Sequence, residues 1–255
     1  LRGENLSRLN LASLDLTGAD LTETYLYGVN LSAAKLVECP MAGAVLQGSV
    51  LQNAVLAGAV LAGADLQWTD MRGVDLTRVD LTGAQLGHAR LANATLDRAD
   101  LSGAWAAHAA MLGATMRDAV LRGAHLQGVD LRGSNLRGAD LDNADLRGTN
   151  LKGAALRQVT LVGALYDRTT ILPPSKDPIS AGMVVVGARA DLSGLELPGA
   201  GFVGVDLSHA TLRDTNLEGA DLRGANLFDA DLQHLPDQIP RFLERLHSGW
   251  DIVTG

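Results

Sequence analysis

The chain has 255 residues, 47% of them hydrophobic but only 4% aromatic, and its 21 basic against 29 acidic side chains leave a net charge of −8. Three each of Trp, Tyr and Phe cannot fill an ordinary core of that size, so the interior must be built from aliphatic and very small side chains in narrow spaces. The lone Cys39 excludes a disulfide framework and a multi-cysteine zinc or iron–sulfur site, and the acidic balance argues against direct nucleic-acid binding.

No apolar stretch approaches the roughly 18 residues that cross a bilayer, and the opening LRGENLSRLNL lacks the apolar run of a signal peptide. The expectation is a cytoplasmic protein with no membrane partner. The chain begins at Leu1 rather than Met, so it can be a piece of a longer protein.

From Leu1 to Leu161 every fifth residue is Leu, except Met41, Met71, Ala106, Met111 and Met116. Two residues before most of these positions stands a small or β-branched residue such as Ala19, Val29, Ala44 or Ala124; the residue just before is often Asp or Asn, and the second after is often Gly. A helix brings together residues three and four apart and a strand alternates at two, so a strict period of five requires a turn within every unit. If four units close one square turn, equivalent positions recur every 20 residues, about 4.8 Å apart along the axis. Leu then points inward from each side, the residue two before it has room only to be small, and Gly relieves the corners.

Stretches such as ADLDNADLRGTNL from Ala139 and ADLRGANLFDADL from Ala220 resemble the A(D/N)LxX pattern of the pentapeptide-repeat family. That resemblance implies an all-β fold, a right-handed quadrilateral parallel β-helix, here of about ten to eleven coils. It is specific for fold and uninformative about function.

The main stack is expected over residues 1–165. A proline-containing loop or distorted coil follows at 166–186, where Tyr166 and Ile171 could continue the fives but Pro173, Pro174 and Pro178 cannot readily donate to a ladder. The repeat resumes over 187–234 with Leu192, Leu197, Phe202 and Leu207, shifted by one residue; one continuous solenoid is favoured over two hinged stacks. The tail, 235–255, leaves the repeat, and Ile239, Phe242, Leu243 and Leu246 fall at helical spacing behind Asp237. A short C-terminal capping helix is expected, with Phe242, Leu243, Leu246 and Trp250 covering the last coil or, as the family resemblance implies, forming a homodimer contact; the protein is then a monomer or a C-terminal homodimer.

The outward positions read as vertical columns. Trp68, His88 and His108 share one, with the histidines about 5 Å apart, but no carboxylate or thiol is placed to complete a metal site. Arg117, Arg137 and Arg157 form another beside Arg132 and Lys152, with Asp130, Asp140 and Asp145 nearby, a pattern of weak surface ion pairs. Val45, Val50, Val55 and Val60 occupy the usually polar position before the inward Leu on four successive sides. They are read either as local β-propensity or as a protein interface that also uses Tyr25, Tyr27, Trp68 and Trp105. At Trp105, where Ala106 replaces the inward Leu, the core must repack or Trp105 must turn inward.

The many carboxylates are repeat positions on a convex surface, and no Ser-His-Asp order, phosphate loop, dinucleotide fingerprint or HExxH occurs. No catalytic residue, metal ligand or cofactor is expected. The primary reading is a noncatalytic rigid scaffold binding an unidentified protein. The alternative, implied by resemblance to the topoisomerase-interacting branch of the family, is mimicry of duplex DNA toward DNA gyrase or topoisomerase IV. Residues 1–165 carry 16 acids and 14 bases, whereas 166–255 carry 13 and 7, so the candidate mimic acids are late: Asp191, Glu196, Asp206, Asp214, Glu218, Asp221, Asp229, Asp231 and Asp237.

Overall fold

A computed structural model describes residues 1–195, 197, 200–202 and 204–233. They fall into two compact units: residues 1–164 with 169–183, and residues 165–168 with those from 184 onward.

The five-residue unit forms because each of its backbone N–H groups has a defined acceptor. Around Glu4–Arg8, the Glu4 amide donates to the Leu1 carbonyl at 3.1 Å and closes a turn. Three amides then run to the neighbouring coil: Leu6 to Tyr25 at 2.8 Å, Arg8 to Tyr27 at 2.9 Å, and in the opposite sense Tyr25 to Glu4 at 2.9 Å. The fifth, on Ser7, has no backbone partner; it donates to Asn5 Oδ1 at 3.0 Å. The Asp or Asn before the inward Leu is therefore a cap for the one amide that the ladder leaves orphaned, repeated at Asp15 to Thr17, Asp65 to Gln67, Asp80 to Thr82 and Asp100 to Ser102. The residue second after Leu sits in the left-handed region throughout, whether Gly or not, as the turn requires.

Parallel pairing joins residues 20 apart, from Asn5 with Tyr25 through Asp140 with Thr160 in the first unit, and Asp191 with Thr211 through Thr211 with Asp231 in the second. Four inward side chains fill each coil. From Leu21 through Leu146 the inward Leu and Met, and the small residues from Thr24 through Ala144 that precede them by two, are essentially inaccessible to solvent. Burial of so many aliphatic groups at roughly 25 cal/mol per Å² is the main force holding coils together. Of the polar residues at the small position, Thr69 and Ser134 donate to the carbonyls of Leu66 and Leu131, whereas the Ser49 hydroxyl is buried without a partner. Cys39 takes the same position, donates its thiol to the Leu16 carbonyl, and has its pKa raised by burial.

In the coil where Ala106 is inward, Leu101, Met111 and Met116 hold the other three sides, all fully buried. Trp105 does not turn in to fill the space. It stays on the surface, 46% exposed, stacked on His125.

Asn150 pairs with Ile171, 21 residues on, so the extra residue enters before Ile171. Ile171 is consequently outward and exposed, at the ladder position, and Leu172 follows the inward track. Leu165, four residues after Leu161, is buried and Tyr166 is only partly so. Tyr166 and Ile171, which could have continued the fives, therefore do not: the buried residue comes one position early at Leu165, and the extra residue before Ile171 holds Ile171 outward. Residues 173–182 run through successive turns, with the Lys176 amide on the Pro173 carbonyl and Asp177 accepting from the Ser180 amide.

In the second unit two short strands, β1 (Leu165–Tyr166) and β2 (Val184–Val185), pair in parallel. Phe202 stands at an inward Leu position and is completely buried among Leu192, Leu207 and Leu212. Among the described residues there is no helix, and the residues expected to form the capping helix lie outside them.

Candidate functional site: one aromatic side of the column

Outward carboxylates are mostly committed to structure. Asp70 accepts from Arg72 Nε and Nη2 at 2.8 and 2.7 Å and from Gln52 Nε2 at 2.8 Å, and these bonds, Arg72 first, hold its pKa down at about 2. Asp97 is pushed up by burial, but its bonds from Arg117 outweigh that and leave it below the usual range. Asp145 and Arg147 form a largely buried bidentate pair. Arg132 pairs with Asp130 and Arg122 with Asp140. The basic columns are therefore interleaved with acids rather than presenting a single-sign field.

The late acids behave alike. Asp191 and Asp206 cap the amides of Ser193 and Ser208; Asp221 pairs with Arg223, Asp231 with Arg213, and Asp229 lies 3.7 Å from His209. Asp214 and Glu218 belong to the same unit, while Glu196 and Asp237 lie outside the described residues, as do Phe242, Leu243, Leu246 and Trp250.

The valines are distributed by the 20-residue coil one to a side. Each pairs in the ladder with an Asp of the next coil: Val45 with Asp65, Val50 with Asp70, Val55 with Asp75, Val60 with Asp80. They ring the column and cannot act as one flat patch. Only Val45 shares a side with Tyr25, Trp68 and Trp105.

That side is the distinctive one. Its outward residues, with the corner that closes it, are those at 25–28, 45–48, 65–68, 85–88, 105–108 and 125–128. They include every Tyr, Trp and His between residues 1 and 164: Tyr25, Tyr27, Trp68, His88, Trp105, His108 and His125. Trp68 stacks on His88 with centroids 4.0 Å apart, His88 on His108 at 5.4 Å, and Trp105 on His125 at 3.7 Å. Tyr25 and Trp68 are more than half exposed. Desolvation lowers the pKa of His125.

Over these six coils Asp65 is the side's one charged residue, against nine charged residues at the equivalent positions of the side that carries Lys35 and Asp118. Taking the columns one at a time, as the sequence alone invites, separates Trp68 from Trp105 and passes over His125. Grouping residues by their remainder on division by 20 joins them, because remainders five to eight lie on one side and its corner.

The ring stacks are surface features, and among the described residues no group of three or more His, Cys, Asp or Glu is arranged to hold a metal ion. No helix among those residues is long and apolar enough to cross a membrane.

The pattern described as pentapeptide repeats matches the chain in eight copies, over residues 5–39, 41–78, 75–109, 106–138, 124–163, 188–224 and 206–235. The chain belongs to the pentapeptide-repeat family, and its fold is that family's right-handed β-helix. Among solved structures it is similar to HetL from the cyanobacterium Nostoc sp. strain PCC 7120, a pentapeptide-repeat protein involved in heterocyst differentiation regulation. The two are 30% identical, with 91% of this chain and 90% of HetL covered and a TM-score of 0.57. It is also similar in fold to a trypsin-treated form of QnrB1, a plasmid-mediated fluoroquinolone resistance protein, at 16% identity, with 98% and 99% of the two chains covered and a TM-score of 0.52. No curated protein matches the chain.

Proposed function

We propose that the protein is a noncatalytic scaffold whose column holds fixed side chains in register for a protein partner, a role consistent with a regulatory relative such as HetL. The observation that carries this reading is the segregation of aromatics and imidazoles onto one side that is almost free of charge. Exposed Trp and Tyr on a rigid backbone supply contact area at little entropic cost, and depletion of charge with enrichment of aromatics marks the centre of protein interfaces. The outward carboxylates cap turns and pair with arginines, which leaves them poorly suited to acid–base work. A quantitative affinity capture from the source organism, comparing the wild type with Trp68→Ala/Trp105→Ala, tests the reading. A partner retained by the former and lost by the latter supports it; partners captured equally by both refute it.

A second reading, modulation of DNA gyrase or topoisomerase IV by duplex mimicry, rests on the acid excess after residue 166. The pairing of Asp221 and Asp231 with arginines weakens that field. A supercoiling assay with purified gyrase, with and without a quinolone, decides it: no inhibition or protection at micromolar excess removes this reading.

A further inference from the structure

We propose that the aromatic side is self-complementary and docks a second copy of this chain, the two columns running antiparallel about a two-fold axis lying between the coils of Asp65 and Gln85. This rests on the reading of the column as an interaction scaffold and names the occupant of its aromatic side.

Charge selects this side. Copies that each carry a net charge of −8 repel, and the approach is least unfavourable where the surface is nearly uncharged. This side presents one carboxylate over six coils.

Shape sets the register. A two-fold axis lying across the column places like lateral positions opposite one another and reverses the coil order. Coil 25–28 of one copy then faces coil 125–128 of the other, 45–48 faces 105–108, and 65–68 faces 85–88. In that register three pairs set a small residue against a larger one, while Tyr25 meets His125 and Trp68 meets His88 ring to ring. Val45 faces Trp105, Gly48 faces His108 and Gly87 faces Gln67. The glycines at 28 and 128, which would otherwise hold side chains at the corner, face one another. Asp65, the sole charge, faces the Gln85 amide, a hydrogen-bond donor rather than another carboxylate.

One face of the Trp68 indole is bare. Side chains at the left-handed corner lean over the corner of the following coil: Asn53 lies over Gly73, Asn93 over Gly113, and His108 over Gly128. Trp68 stacks on His88 in this way, but the residue before it in the corner column is Gly48, which has no side chain to cover the other indole face. Trp68 is 58% exposed as a result. An isologous interface covers this ring twice, once on each copy.

Two measurements test the proposal. Sedimentation equilibrium from about 1 to about 100 µM should show a dimer that Trp105→Asp weakens by about thirtyfold or more, the effect of losing an interface anchor, while Arg137→Gln on another side changes nothing. In a Cys39→Ala background, Gln47→Cys/Ala107→Cys should give a covalent dimer with a short bis-maleimide. Within one copy these positions are three coils, about 14 Å, apart and out of its reach. Gln52→Cys/Leu112→Cys, equally spaced on the next side, should not link.

A monomer throughout, a dimer indifferent to Trp105→Asp, or equal linking by both cysteine pairs overturns the proposal. None of these outcomes bears on capture of a different protein, so the scaffold reading is judged separately.

Discussion

Replacing Asp70 by Ala removes an acceptor for the Arg72 guanidinium and the Gln52 amide, and leaves the Arg72 backbone amide without its cap. The Asp70 side chain is only 15% exposed in its ladder position between Val50 and Arg90, so water replaces these bonds poorly. Its carboxyl is held near pKa 2 against an ordinary value of 3.8. By linkage a depression of that size corresponds to a little over 2 kcal/mol, and solvent screening around Arg72, 53% exposed, reduces it to about 1 to 2 kcal/mol. Adding up net hydrogen-bond contributions of about 1 kcal/mol each leads to a similar figure. Chemical denaturation at pH 7 should therefore place Asp70→Ala about 1 to 2 kcal/mol below wild type, with Asp70→Asn between them because the amide oxygen still caps. The folded pKa is the lower one, so the contribution is complete above about pH 4 and is lost as pH falls through about 2. Neither variant should show this increment of acid destabilisation. Equal stability of wild type and Asp70→Ala at pH 7, or an unchanged acid limb in Asp70→Asn, would refute the capping argument.

Three further outcomes rest on the same geometry. At the Gly83 corner, with φ of 64° and open space where a Cβ would project, Gly83→Val should lower the melting temperature more than Gly83→Ala. Gly83→Asn should be the mildest, as Asn53, Asn93 and Asn143 already occupy such corners. The valine ring leaves the amides of Gln47, Gln52, Ala57 and Ala62 with no side-chain cap; Val60→Asn should supply one to Ala62 and exceed Val60→Gln, polar but unable to cap, by about 1 kcal/mol in urea denaturation. His125 has its pKa lowered by desolvation, so its neutral form stabilises the fold fully above about pH 6.5 and that contribution declines as pH falls toward the folded value. His125→Gln should flatten the dependence of unfolding free energy on pH between about 7 and 5, and an unchanged slope would show that burial there is inconsequential.

By itself the sequence determined the five-residue unit, with a turn in every repeat, Leu pointing into a narrow column and the residue two before it kept small. That four units close each coil is fixed by the pairing of residues 20 apart. The shift of register after Leu161 was visible as well. Its location was not, because counting cannot show whether Ile171 or Leu172 enters the core; the 21-residue pairing of Asn150 with Ile171 decides that.

Tertiary structure also assigned the repeat's Asp and Asn their task. That the amide following the inward residue is the one the ladder omits emerges only when every donor has been followed to its acceptor. It bore out the placement of the four valines on four successive sides, and it kept Trp105 outside on His125. Above all it joined two aromatic columns into one nearly uncharged side, because residues distant in sequence become neighbours only once the coil length fixes which of four directions each side chain faces.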